Sequence, residues 1–130
     1  MIIFNDYVEA YPSDGSYLDL TGSDRGLKRA ELLRPLEYLE PKGNTNTLAA
    51  LQRAYSYPEV DTIILFTDGV PDSGSNRFDQ NMAAAVFELC RQHGTAVPIN
   101  TVGLGGYFDK RFGDFLLQLP AITGGTFIGR

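Results

Sequence analysis

Thr62-Ile63-Ile64-Leu65-Phe66-Thr67-Asp68-Gly69 is the stretch on which the fold turns. From Thr62 to Thr67 the residues are apolar or β-branched, with no polar alternation. Such a run reads as a strand covered on both faces, as in a parallel sheet between two layers of helices. Asp68-Gly69 closes it with turn chemistry.

Outward from this strand the second half of the chain alternates. Val70 to Asn76 is a loop rich in Pro, Asp, Ser and Gly. From about Arg77 to His93, the residues Met82, Val86, Leu89 and Cys90 share one helical stripe, and Gly94 ends the helix. Val97 to Val102 reads as a strand with Pro98 near its start. Gly103 to Gly106 is a loop, Lys110 to Leu119 a short helix, and Thr126-Phe127-Ile128 a final strand.

Towards the N terminus, a helix from Thr47 to Tyr55 turns Leu48, Leu51 and Ala54 inward. Before it, Leu27, Ala30, Leu33, Leu36 and Leu39 line one face of a helix from Asp24 to Leu39. Ser23 or Asp24 can cap that helix, and Pro35 kinks or splits it. Pro41-Lys42-Gly43-Asn44 ends it. Met1 to Glu9 and Tyr17 to Leu20 read as an antiparallel hairpin around the turn Pro12-Ser13-Asp14-Gly15.

The order β-β-α-α-β-α-β-α-β predicts one α/β domain over residues 1–130. The expected architecture is a three-layer, Rossmann-like, mostly parallel sheet with an antiparallel edge hairpin and helices on both faces. A ligand site in such a sheet lies beyond the carboxyl ends of the strands. Asp68-Gly69 through Asp72 and the loop Gly43-Asn44-Thr45-Asn46 should meet there.

Composition narrows the class. With 130 residues, the chain has room for one domain. Folding would leave about 6,800 Å² of about 20,700 Å² exposed, enough burial for a core without staples. Hydrophobic residues at 43% and charged residues at 21% exclude a disordered chain. The net charge of −5 and a pI near 4.7 argue against nonspecific binding to nucleic acid or an anionic membrane. They suit a cation or a basic partner better. Cys90 is the single cysteine, so no internal disulfide and no Cys-rich zinc site is expected. No apolar run is long enough to span a membrane, and no basic leader precedes Ile2-Ile3-Phe4. A soluble, cytoplasmic protein is the expectation.

Gly43-Asn44-Thr45-Asn46-Thr47-Leu48-Ala49-Ala50-Leu51, followed by Ile63-Ile64-Leu65-Phe66-Thr67-Asp68-Gly69, resembles a von Willebrand factor type A domain. Pro98-Ile99-Asn100-Thr101-Val102-Gly103-Leu104-Gly105 and Thr123-Gly124-Gly125-Thr126-Phe127 are similar to the last two strands of bacterial members. The resemblance covers nearly the whole chain. It implies a protein-binding module with a metal-ion-dependent adhesion site. There, three loops hold Mg²⁺: Asp-x-Ser-x-Ser, a threonine, and the aspartate of Thr-Asp-Gly. Carried over, the threonine is Thr45 and the aspartate is Asp68. Mg²⁺ is a hard cation held by few carboxylates and several waters. Its open position would take an acidic side chain from a protein partner.

The sequence departs from that pattern in one respect. No Asp-x-Ser-x-Ser occurs, and Asp72-Ser73-Gly74-Ser75 has the wrong spacing and follows the third loop. The chain reads as beginning at the family's second strand, without the central strand and its helix. Thr45 and Asp68 alone would make a partial or degenerate site that holds Mg²⁺ weakly. An unpaired strand edge also templates association. Either Met1–Glu9 pairs with Thr62–Thr67, or a strand comes from a second copy or another partner, or the chain is a fragment. The first arrangement, or a dimer, is expected.

Other polar residues have plainer readings. Asp72 caps the next helix, binds water or stands behind a metal; Asp6 is a solvated strand-end residue. Asn44 and Asn46 shape their loop through side-chain-to-backbone bonds. His93 favours a helix C-terminus, Cys90 packs in the core, and Tyr107 and Phe108 form an exposed tip or core. Gly103-Leu104-Gly105-Gly106 resembles a phosphate loop only weakly. Two other functions compete: a Mg²⁺-dependent α/β hydrolase using Asp68, and an oligomerising structural subunit completed by strand exchange. No nucleophile–base pair accompanies Asp68, so a binding module and not an enzyme is the expectation.

Overall fold

The computed structural model describes residues 1–40, 42–72, 74, 77–105 and 110–129. Strands β1 (Ile2–Phe4) and β2 (Val8–Ala10) pair antiparallel, with Ile2 opposite Ala10 and Phe4 opposite Val8. Asn5 Oδ1 accepts from the Tyr7 N–H at 2.8 Å, so an Asx turn joins them. The hairpin expected between Met1–Glu9 and Tyr17–Leu20 is thus completed within the first ten residues. Tyr17 to Leu20 is not a strand. Turn chemistry at Asn5-Asp6-Tyr7 acts sooner along the chain than Pro12–Gly15.

Helix α1 (Arg25–Leu33) passes into a 3₁₀ turn, Arg34–Tyr38, where Pro35 withholds its N–H. Helix α2 (Thr47–Tyr55) is capped by Asn46, whose side chain accepts from the Ala49 N–H at 3.1 Å. Strand β3 (Ile63–Thr67) precedes α3 (Gln80–His93). Asp79, not Asp72, caps α3 by accepting from the N–H groups of Asn81 and Met82 at 2.9 and 3.0 Å. Strand β4 (Ile99–Gly103), α4 (Lys110–Thr123) and β5 (Phe127–Gly129) complete the chain. No helix among the described residues is long and apolar enough to cross a membrane.

The fold is α/β. β3, β4 and β5 form a parallel sheet in that order, with Ile63 opposite Ile99 and Thr101 opposite Phe127. The hairpin is a separate two-stranded sheet. Met1–Glu9 therefore does not pair with Thr62–Thr67, and the outer edge of β3 has no strand neighbour among the described residues.

The core lies on one face of the parallel sheet. Ile63, Leu65 and Ile99 pack with Leu51 of α2, Val86 and Cys90 of α3, and Phe112, Phe115, Leu116 and Leu119 of α4. Tyr55 stacks on His93 with 3.7 Å between ring centroids. Burial pushes the Cys90 thiol up to about 11 and raises the Tyr55 hydroxyl as well, so both are neutral core groups near neutral pH. Thr123, fully buried, donates its hydroxyl to the Leu119 carbonyl and accepts from the Ile99 N–H, both at 2.9 Å. Thr123→Val keeps the shape but strands that N–H. Urea unfolding should register a loss of about 1–3 kcal/mol; an unchanged midpoint would show that the bond carries no net stability.

Cover on both faces does not materialise. Burial along β3 alternates: Ile63, Leu65 and Thr67 are buried, whereas Ile64 and Phe66 are 60% exposed. Helix α1 buries none of its residues, and Leu27, Ala30, Leu33, Leu36 and Leu39 are all exposed.

Candidate functional site

Three segments meet beyond the carboxyl end of β3, where open parallel sheets hold ligands. The first is the loop of residues 43–46 that feeds α2. The second is the turn Asp68-Gly69, and the third is Pro71-Asp72. The Asp72 N–H donates to the Thr45 carbonyl at 3.2 Å, which fixes the first loop against the third. A Cβ on Gly69 would stand 2.8 Å from Thr45 Oγ1. Only glycine there lets the Thr45 hydroxyl lie against the strand end. Thr67 Oγ1 accepts from the Gly69 N–H at 3.2 Å and tightens the turn.

Thr45 and the Asp68-Gly69 turn therefore share one rim. The Asp68 side chain is exposed, whereas Thr45 is half-buried. Asp72 is 4% exposed, and its carboxylate accepts from the Gly74 N–H at 3.0 Å. It braces the loop from inside rather than facing solvent. Thr47, at the first turn of α2, is fully buried, and its hydroxyl has no hydrogen-bond partner among the described residues.

A fourth segment joins from the hairpin. Asp6 accepts hydrogen bonds from the side-chain amide of Asn44 and from its N–H. The Asn46 N–H donates to the Asn5 carbonyl at 3.2 Å. Asp6, read from sequence as a solvated strand-end residue, fastens the Thr45 loop. The Asn-Asp pair before Tyr7 signals the turn, but nothing local points to a partner at Asn44. Asn46 does act on the backbone, as expected, whereas Asn44 reaches Asp6.

Among the described residues, the rim offers the half-buried Thr45 hydroxyl and the exposed Asp68 carboxylate, with the exposed Asp6 carboxylate held beside them by Asn44. Among the described residues, no three His, Cys, Asp or Glu side chains gather to hold a metal ion. Ser73, Ser75, Tyr107 and Phe108 lie outside the described residues, as does Gly106 of the glycine loop.

Over 84 residues, the chain is 34% identical to von Willebrand factor A domain-containing protein 3B of Homo sapiens. That stretch is 65% of this chain and 6% of that protein. No family model matches the chain, and no solved structure matches it.

Proposed function

We propose that the chain is a protein-binding module of the von Willebrand A kind, with Thr45 and Asp68 as a partial Mg²⁺ site on its rim. The observation that carries this reading is the approach of the Thr45 hydroxyl to Gly69, the neighbour of Asp68. The identity to a protein with such a domain and the net charge of −5 support it. Thr45 contributes a hydroxyl at a helix start, Asp68 a carboxylate at a strand end, and both are hard oxygen donors suited to Mg²⁺. When bound, the ion supplies an open position for an acidic side chain of a protein partner. Asp72 and Asp6 act on the loop, one from inside and one from the hairpin.

Two protein donors leave the ion most of its water, so weak binding is expected. Calorimetric titration with Mg²⁺ or Mn²⁺ tests this. Asp68→Ala should weaken binding about tenfold, the effect of losing about 1.4 kcal/mol. Unchanged affinity in that variant would remove Asp68 from the site. Completion by an added strand is a second reading, favoured by the free outer edge of β3.

A further inference from the structure

One face of the N-terminal hairpin and the 3₁₀ turn after α1 border a cleft of about 410 Å³. Ligand pockets are of this size. The pleat of a strand sends alternate side chains to one face. Ile3 and Glu9 are cross-strand partners, and Tyr7 and Tyr11 lie two residues to either side of Glu9. These four line one wall. On the other, Pro35 and Tyr38 are three residues apart, the spacing that eclipses side chains in a 3₁₀ turn. Three tyrosines therefore converge on one concavity. Tyr7 is 77% and Tyr38 76% exposed. Among the described residues, no aromatic ring packs on any of the three, and no cation of this chain lies over one.

The cleft also carries charge. The Tyr11 hydroxyl donates to Glu9 Oε2 at 2.8 Å, which holds that carboxylate beside the rings. Lys42 and Glu40, also in the lining, answer each other at 3.6 Å. Among the described residues, no Lys or Arg pairs with Glu9. The balance is one negative charge next to tyrosine faces, whose π-systems are negative as well.

We infer that this cleft seats an arginine side chain from a basic segment of a protein partner. Tyrosine faces attract a cation held within about 6 Å of the ring. A guanidinium is weakly hydrated, stacks flat on such a face, and offers a fork of N–H donors to a carboxylate. Lysine brings a strongly hydrated point charge instead, which fits rings and carboxylate less well. The chain uses the same pairing internally, with Arg53 at 5.0 Å over the Tyr57 ring. Its net charge of −5 draws a basic segment towards it. The cleft uses neither Thr45 nor Asp68, so it stands apart from the proposed Mg²⁺ site.

Titration of the ¹⁵N-labelled 130-residue chain with a blocked peptide of alternating arginine and serine tests it by NMR. Shifts should gather on the hairpin and the 3₁₀ turn. Tyr7→Ala and Tyr38→Ala, both at exposed positions, should each weaken binding about threefold with unchanged far-UV circular dichroism. Glu9→Gln keeps an acceptor for Tyr11 and should weaken it about fivefold. Asp61→Asn removes the same charge from an exposed site before β3 and should change it less than about twofold. The matching citrulline peptide, alike in shape but uncharged, should leave these resonances in place, and the lysine peptide should bind more weakly than the arginine one. No shifts with the arginine peptide would overturn the inference. So would equal binding of the lysine peptide together with indifference to Tyr38→Ala, which would mean charge attraction alone. Choline, which lacks the fork of donors, binding as tightly as the peptide would make the cleft a small-cation pocket and equally overturn it.

Discussion

Phe115→Ala should cost about 4 kcal/mol, a large share of the 5–15 kcal/mol by which a domain is usually stable. Phe115 is 1% exposed at the seam between α3 and α4. Its ring meets Phe87 at 5.5 Å between centroids, tilted by 41°. Leu116 and Leu119 of the same helix are fully buried around it. Truncation removes the transfer energy of a ring and the aromatic contact, and leaves a void that packed helices cannot close. With a urea slope of about 1–3 kcal/mol per M, the midpoint should fall by about 2 M at unchanged slope. A loss under about 1 kcal/mol would mean that this seam collapses freely and is not the tightly packed centre described here.

Gly125→Ala should be worse still for its size. Gly125 joins α4 to β5, and a Cβ built there would run into the Ile99 carbonyl and the Asn100 N–H of β4. Both are backbone, so no side chain can swing aside. Relief requires β5 to move away from β4, which would also break the Thr101 N–H bond to the Thr126 carbonyl at 2.8 Å. A single methyl is therefore expected to cost about 3 kcal/mol or more, at the upper end of overpacking. Thermal unfolding by circular dichroism reads it. A melting temperature within a few degrees of the parent would show that β5 has slack.

Where sequence and structure agree, period and burial coincide. The stripe of α3 carries Val86 and Cys90 into the core, α2 starts at Thr47 as expected, and Pro35 divides the helical segment before it. The parallel strands and the element order from α1 onward were readable for the same reason. Apolar identity, however, does not say whether a surface is covered. Ile64 and Phe66 read as buried because their neighbours are, yet they face out. The leucine stripe of α1 has the right spacing and no layer beneath it. Strand pairing misled for a different reason. Asn5-Asp6-Tyr7 turns the chain before it can reach β3, and the energetics of so short a turn are local.

The rim was half legible. Thr45 and the turn at Asp68 fall together because a helix start and a strand end share one edge of the sheet. Asp6 and Asn44 are 38 residues apart, and no pattern along the chain announces a bond across that distance. Asp72 sits after a proline in a polar loop, a setting that gives no hint of near-complete burial.

The loop that carries Thr45 is moored twice. On one side Asp72 and α2 tie it to the core; on the other Asp6 and Asn5 tie it to a hairpin whose packing against the core comes from Phe4. An occupant of the rim that prefers the hairpin in its moored position strengthens that mooring by the same factor by which the mooring tightens the occupant, since linkage is reciprocal. Were the proposed site filled by such an occupant, substitutions in the first ten residues would shift its affinity through these two bonds.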